Sequence, residues 1–301
     1  MTNFHGYHDR GPFFEGWYLK QENDRQSLAF IPGMHILPSG EKGAFIQVIT
    51  GDQSWTVPYS FDAFRVHPDR FGVKIGESIF SARGARIAIE TDGLSCRGTL
   101  RFGQITPLQY DAMGPFAYLP GMECRHGVLS LFHPVDGEVT VNGETFRFHR
   151  EDGAKGYIEK DWGHSFPSRY AWVQCGRFQP GREPSCIMAS VAQIPYGGRQ
   201  FTGTICIVRL GHREIRLVTY LGARALRWDA EGIVVRQGDW RLEIEMPEGT
   251  RHPLAAPTCG GMDRMIREGL RQKAHFRLYQ GGRLLFHVQS DSASCEYAEG
   301  E

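Results

Sequence analysis

Carboxylates and large aromatic rings lie close together in three short stretches of this 301-residue sequence. A carboxyl group beside apolar rings loses water, and this desolvation favours its neutral, proton-donating form. The residue types therefore suggest general acid chemistry. The three stretches and their carboxylates are GPFFEGWYLK (11–20, Glu15), MGPFAYLPGMECRHGVLSLFH (113–133, Glu123) and YIEKDWGHSFPSRYAWVQCGRF (157–178, Glu159 and Asp161).

A structural role is the alternative for the same residues. In that interpretation the tryptophans fill an ordinary core, and Glu15 and Glu159 form ion pairs with basic residues, for which the candidates are Lys20, Lys160 and Arg169. Carboxylates that are buried and paired with a base are common, whereas catalytic acids are rare. The spacing alone favours this simpler interpretation.

The elements that must hold these residues are predicted to be strands. Short segments in which apolar and polar residues alternate are separated by Gly, Pro, Asn or Asp, which is typical of half-buried strands joined by tight turns. Asn142-Gly143 is a strong hairpin signal, because a type I′ turn needs positive φ at both central residues. The predicted strand segments are 44–50, 70–75, 85–91, 99–103, 127–133, 137–149, 185–194, 202–210, 213–221, 232–246 and 275–289.

One segment has a different period. In MDRMIREGLRQKA (262–274) the apolar residues fall near helical spacing, which predicts an amphipathic helix. Gly269 weakens that prediction by roughly 1 kcal/mol relative to alanine. The apolar residues concerned are Met262, Met265, Ile266 and Leu270.

Two tryptophan-led segments, 17–35 and 172–193, both read as a strand, a polar turn and an apolar strand. This similarity predicts a duplicated β module, with the polar link EDGAKG (151–156) as the boundary. We therefore expect an all-β protein of two domains, 1–150 and 151–301. Each would be an antiparallel barrel or sandwich, packed side by side, with a cavity in or between them.

Composition and missing motifs narrow the function. Lys plus Arg equal Asp plus Glu at 34 each, so no basic field exists to attract nucleic acid. Neither a dinucleotide-binding glycine fingerprint nor a P-loop is present. The seven cysteines include no CxxC pair, which predicts buried thiols and no zinc site. HGYH (5–8) could be half of a metal site, but a mobile, hydrated N terminus is the favoured interpretation.

No signal peptide and no apolar run of about 20 residues is found, so the sequence predicts a soluble, cytoplasmic protein without a membrane span. A transient contact with a membrane surface stays open. The expected partner is a hydrophobic small molecule, and no metal or other cofactor is expected.

Four blocks together resemble the tocopherol cyclase family in its shorter bacterial branch and, more distantly, the lipocalin-like carotenoid hydratases. The resemblance implies two lipocalin-like β domains and a cofactor-independent isomerase that closes a chromanol ring from a prenylated hydroquinone. The blocks are PFFEGWY (12–18), GPFAYLPGMECRHGVLSLFH (114–133), GYIEKDWGHSFPSRYAWVQC (156–175) and APTCGGMDRMIREGL (256–270).

That chemistry gives the carboxylates and rings a purpose. Protonating an alkene needs a carboxylic acid kept neutral in an apolar pocket, and the resulting cation needs aromatic faces and the exclusion of water. Asp161 and Glu159 are the leading acid candidates, followed by Glu15 and Glu123. If 157–162 is extended, Glu159 and Asp161 share one face and Lys160 takes the other. His126 could orient a carboxylate or accept the phenolic proton. The candidate substrate-binding residues are Phe14, Trp17, Tyr18, Trp162 and Trp172.

Two other functions are compatible with the same residues. A non-catalytic lipocalin-like protein could bind an isoprenoid or quinone with the same aromatic walls. A hydratase or a pericyclic catalyst could use the same pocket and differ mainly in substrate or in the entry of water.

Overall fold

The structure is a computed structural model that describes residues 4–7, 11–179, 184–247, 249 and 251–300. The prediction of an all-β fold is confirmed, because the described residues form two antiparallel sheets and only four short 3-10 helices. No helix in these residues is long and apolar enough to cross a membrane. The 3-10 helices are Phe61–Ala63, Gly114–Tyr118, Arg150–Asp152 and Thr219–Leu221.

The first sheet contains twelve of the described strands in the order β4-β3-β2-β1-β12-β10-β9-β8-β7-β6-β5, with β11 paired to β10. Its strands are β1 Phe13–Glu22, β2 Ser27–Ile36, β3 Lys42–Ile49, β4 Ser54–Ser60, β5 Phe64–Val66, β6 Gly72–Ile75, β7 Ser78–Ser81, β8 Gly84–Thr91, β9 Leu94–Phe102, β10 Cys124–Val141, β11 Glu144–Phe148 and β12 Lys155–Gly163.

The β10–β11 hairpin confirms the turn predicted at Asn142-Gly143. Val141 and Glu144 face each other in the register, and the two residues between them have φ of 47° and 89°. Both values lie in the left-handed region, which glycine and asparagine enter at the least cost. The turn sequence thus sets the pairing of these two strands.

The second sheet contains ten of the described strands in the order β16-β15-β14-β13-β22-β21-β19-β18-β17, with β20 paired to β21. Its strands are β13 Arg169–Cys175, β14 Cys186–Tyr196, β15 Arg199–Leu210, β16 Arg213–Val218, β17 Arg224–Asp229, β18 Gly232–Gln237, β19 Trp240–Glu245, β20 His252–Thr258, β21 Gly261–Gln280 and β22 Arg283–Glu299.

The strand orders of the two sheets repeat one another. In the first sheet β1 pairs with β2 on one side and with β12 on the other. In the second, β13 pairs with β14 and with β22, the last strand. Because β1 and β13 begin the two tryptophan-led segments, this repeat is the arrangement expected from a duplicated β module.

The chain divides into two compact units that are built from separated segments. One comprises Met1–Leu108, His126–Ser165 and Leu254–Arg264, and the other comprises Gln109–Arg125, Phe166–Pro253 and Met265–Glu301. The first unit continues past residue 150, where the sequence suggested a boundary, because β12 pairs along its length with β1.

The predicted helix at 262–274 is wrong. These residues lie within β21, which pairs with β22 and β19. Ile266 and Leu270 are buried, and a spacing of four satisfies both a helix and one face of a strand. Met265, which a helix would bury beside Ile266, is 62% exposed. Two register shifts between Gly269 and Ala274 further disturb the period of two.

Candidate active site

Strand β12 has two chemically different faces, because successive side chains of a strand point in opposite directions. Glu159 and Asp161 lie on one face, as the sequence predicted for an extended segment, and Tyr157 joins them. Lys160 and Trp162 lie on the other face. The polar face is therefore formed by alternate residues of one strand.

His126 connects the two carboxylates. It lies near the start of β10, the neighbour of β12 in the sheet. Its ring Nδ1 is 2.9 Å from Oδ1 of Asp161, and its Nε2 is 3.6 Å from Oε2 of Glu159. The two ring nitrogens thus face different carboxyl groups, and the imidazole can pass a proton from one side of the ring to the other.

Tyr157 extends this cluster at the end away from Asp161. Its hydroxyl donates a hydrogen bond to Oε2 of Glu159. The side chains of Glu159, His126 and Asp161 are 6%, 13% and 22% exposed, respectively. The four residues therefore form a continuous line of contacts from a buried phenol to a carboxyl group that is partly open.

The donor set of His126, Glu159 and Asp161 would also suit a divalent cation, since one ligand atom from each lies within 4.8 Å of the others. A single cation shared by all three needs one ring nitrogen to face both carboxylates. In the structure each nitrogen faces its own carboxylate. The ring is hydrogen-bonded to Asp161 through Nδ1 and faces Glu159 through Nε2.

Glu15 lies on the opposite face of the sheet from this cluster and forms an ion pair. Its Oε1 is 2.9 Å from Nζ of Lys160, and both side chains are fully buried. The ammonium group is 4.6 Å from the centre of the Trp162 ring and 5.6 Å from that of Trp17. Burial lowers the pKa of Lys160, and the charge of Glu15 opposes this. The structural alternative for Glu15, a pair with Lys160, is therefore the arrangement found.

The N-terminal residue His5 covers this ion pair. Its backbone N–H donates to Glu15 Oε2 at 2.8 Å, and its ring stacks on Trp162 with the centroids 4.4 Å apart. His5, predicted to lie in a mobile, hydrated N terminus, is exposed and makes these contacts with Glu15 and Trp162. His8, the other histidine of the predicted half-site, lies outside the described residues.

Tyr18 and Phe14 share the face of the His126 cluster. Tyr18 is directly opposite Glu159 in the β1–β12 register, and Phe14 is opposite Gly163. Both are buried. Residues opposite each other in an antiparallel pair present their side chains to the same face, so Tyr18 is a direct neighbour of Glu159.

The other predicted site residues lie elsewhere. Trp17 and Trp162 belong to the hydrophobic core on the Lys160 face. Glu123 is half-buried in the bend before β10 and belongs to the second compact unit. Trp172 is buried on β13 of the second sheet, beside Glu296 in the register.

Sequence reasoning missed Tyr157 as a site residue, although a signal was available. Position 157 has the same parity as 159 and 161, so an extended segment places all three on one face. It also misjudged Lys20, whose partner is Glu22 at 3.0 Å, with both side chains almost fully buried. This second ion pair lies on the face of Tyr157, because Lys20 is opposite Tyr157 in the register.

The chain belongs to the tocopherol cyclase-like family, whose model matches residues 93–298.

Two plant proteins are among its relatives. "Probable tocopherol cyclase, chloroplastic" from Oryza sativa subsp. japonica is 24% identical over 334 residues, covering 85% of this chain and 68% of that protein. The Zea mays tocopherol cyclase is 24% identical over 240 residues, covering 60% of this chain and half of that protein.

Among solved structures, kievitone hydratase from Nectria haematococca is similar in fold. The TM-score is 0.54 at 12% sequence identity, and the match covers 99% of this chain and 93% of the hydratase. This likeness extends the fold assignment over nearly the whole chain.

Proposed function

We propose that the protein is a cofactor-independent cyclase of the tocopherol cyclase type. Its substrate would be a prenylated hydroquinone or a similar isoprenoid, and its product a chromanol-type ring. The observation that carries the proposal is the position of His126 between Asp161 and Glu159 on one sheet face. Membership of the tocopherol cyclase-like family supports the reaction class.

Asp161 is the proton donor in this mechanism. It is the most exposed of the three clustered groups, so its second oxygen is the one best able to meet a substrate. Asp161 transfers its proton to one alkene carbon, and the other carbon becomes a tertiary cation. The phenolic oxygen attacks that cation, and the phenolic proton returns to the Asp161–His126 pair. The reaction is an isomerisation with no net proton change.

His126 and Glu159 assist without touching the reacting carbons. An imidazolium whose Nδ1–H faces Oδ1 of Asp161 would stabilise the carboxylate that remains after proton transfer. Glu159 on the other side of the ring supplies the counter-charge. This division resembles the logic of catalytic triads, in which a buried carboxylate holds a histidine in its working orientation.

The aromatic residues divide by face. Tyr18 and Phe14, on the face of Asp161, are the ones we assign to the substrate and its cation, each contributing roughly 0.5–2 kcal/mol. Trp17 and Trp162 contact the Lys160 ammonium instead. We therefore assign Glu15 and these two tryptophans a supporting role behind the site.

A hydratase is the second candidate. The partial exposure of Asp161 would let water reach the same cation, and the fold resembles that of a hydratase. Water would then replace the phenolic oxygen as the nucleophile. A third outcome, binding of the isoprenoid without reaction, would make the protein a carrier.

The test is to incubate the purified protein, treated with a chelator, with a prenylated hydroquinone and to analyse products by mass and chromatography. We expect an isobaric chromanol. Asp161→Asn should lower turnover by about 10²–10⁴-fold, the usual contribution of a general acid. Asp92→Asn, at an exposed turn between β8 and β9, is the matched control and should leave turnover unchanged.

Other outcomes decide between the candidates. A product heavier by one water identifies a hydratase, and tight binding without product identifies a carrier. Full activity in both Asp161→Asn and Glu159→Gln would rule out the assigned cluster. Loss of activity on chelation that zinc or manganese restores would replace proton transfer by metal chemistry.

A further inference from the structure

We propose that Tyr157 is a positioning residue that holds Glu159 as the charged partner of His126. The role of Tyr157 in catalysis rests on the proposed function. Its effect on the protonation of Glu159 and His126 can be measured without any substrate. Tyr157 acts on Asp161 only through Glu159 and His126. No reacting atom needs to touch it.

The geometry places the phenol where it can do this. The side chain of Tyr157 is buried, and its hydroxyl donates to Oε2 of Glu159, the same oxygen that faces Nε2 of His126. Tyr157 and Glu159 are two positions apart on β12, so strand geometry alone keeps them side by side. The Tyr18 and Tyr157 rings meet edge to face with centroids 6.5 Å apart, which fixes the orientation of the phenol.

Among the described residues, charged and titratable groups face Glu159 from three strands. His126 faces it from β10, and Tyr157 and Asp161 flank it on β12. From β1, Tyr18 lies opposite Glu159, and Lys20 lies opposite Tyr157. Lys20 forms an ion pair with Glu22, and its Nζ lies 3.0 Å from Oε2 of that carboxylate.

A buried carboxylate stays charged only if hydrogen-bond donors replace its lost water. Tyr157 supplies one donor to Glu159, and an imidazolium at His126, whose Nε2 lies 3.6 Å from Oε2 of Glu159, would supply the facing charge. While Glu159 is charged, both nitrogens of His126 keep their protons. If the phenol is removed, burial favours the neutral forms of Glu159 and His126.

A neutral His126 would slow proton transfer from Asp161. A neutral His126 stabilises the Asp161 carboxylate less than an imidazolium does, so alkene protonation slows. Substrate binding is not affected, because Tyr157 is not assigned to the substrate. The effect of Tyr157 should therefore fall on kcat and not on KM.

Tyr157→Phe tests this without a substrate. Nitrogen-15 NMR of the histidine rings, with the His126 signals assigned from His126→Asn, should show an imidazolium in the unmodified protein and a neutral ring in Tyr157→Phe. Infrared spectroscopy should show a new carboxylic acid band in Tyr157→Phe that disappears in Tyr157→Phe/Glu159→Gln. Glu159→Gln alone should also give a neutral His126, which keeps the test valid if Tyr157→Phe does not fold.

Tyr170→Phe is the matched control. The Tyr170 hydroxyl donates to Glu296 at 2.8 Å in the second compact unit, so the substitution removes the same kind of hydrogen bond elsewhere. It should leave the His126 spectrum and kcat unchanged. Tyr157→Phe should lower kcat by roughly tenfold or more, which corresponds to the usual strength of a hydrogen bond to a charged group.

The two proposals fail in different ways. If the unmodified protein neither cyclises nor hydrates the prenylated hydroquinone, the proposed function is refuted. The His126 spectra would still decide the role of Tyr157. A neutral His126 in the unmodified protein, or an unchanged imidazolium in Tyr157→Phe, would overturn the role of Tyr157 even in an active cyclase.

Discussion

Adjacent residues of β12 perform opposite tasks at the level of the single side chain. Glu159 belongs to a cluster with His126 and Asp161, whereas Lys160 neutralises Glu15 in a fully buried ion pair. The rings expected to shelter a substrate cation, Trp17 and Trp162, instead lie around this ammonium. The sequence pattern of acids beside aromatic rings therefore arises from two separate features, the His126 cluster and the Glu15–Lys160 ion pair with its tryptophans.

The Glu15–Lys160 pair gives a stability prediction. Lys160→Met leaves the Glu15 charge buried without its ammonium partner, so we expect a loss of about 3–5 kcal/mol in the free energy of unfolding. Glu15→Leu/Lys160→Met should lose less than the single substitution, because no charge is left behind. Urea unfolding measures both.

The matched control is an exposed ion pair. Glu90→Gln removes the carboxylate that faces Arg97 at 3.3 Å on the surface, and should cost no more than about 1 kcal/mol. A similar cost for Lys160→Met and Glu90→Gln would show that the buried pair is not a structural requirement.

At the level of the element, parity along a strand explains most of the candidate site. Glu159 and Asp161 could be placed on one face from sequence, because a strand alternates. The contact of Asp161 with His126, 35 positions away in sequence, could not, because it depends on which strands become neighbours. The partner of Glu15 could be narrowed to three residues but not chosen, since register decides it.

Strand β21 offers the prediction that separates a strand from the helix suggested by sequence. Ile266 is buried and Met265 is largely exposed, whereas a helix would bury both. Ile266→Ala should therefore cost about 2–4 kcal/mol, and Met265→Ala should stay within about 0.5 kcal/mol. Chemical denaturation of the two variants provides the measurement, and equal losses would contradict the strand.

The sequence misled here for a physical reason. Apolar residues four apart suit both structures, and the register shifts near Gly269 and Gln272 break the alternation that would have revealed a strand. The all-β class and the hairpin at Asn142-Gly143 rested on regular alternation and turn chemistry. Those features were predictable because they are local.

At the scale of the whole molecule, the global stability should depend on pH through His133. Burial lowers the pKa of this histidine to about 3, against about 6.5 in an unfolded chain. The unfolded chain therefore takes up the proton first as the pH falls. The contribution of His133 to the free energy of unfolding is therefore fully present above about pH 6.5. It decreases towards pH 3, and about 2 kcal/mol is lost at pH 5.

His133→Asn should remove that part of the acid dependence. The comparison is between the slopes of unfolding free energy against pH, from 7 to 5, and not between absolute stabilities. His212→Asn, at an exposed turn, should keep the original slope. An unchanged slope in His133→Asn would mean that other groups cause the acid sensitivity.

The alternation of β12 also bears on protein engineering. Odd-numbered positions from 157 to 161 hold the residues of the proposed reaction, and the even-numbered Lys160 forms the buried ion pair with Glu15. A variant library restricted to Phe14 and Tyr18 could thus alter substrate range while sparing the buried Glu15–Lys160 ion pair. Within the nine residues of β12, substitutions at odd-numbered positions would thus act on the proposed reaction, and substitution of Lys160 would act on folding stability.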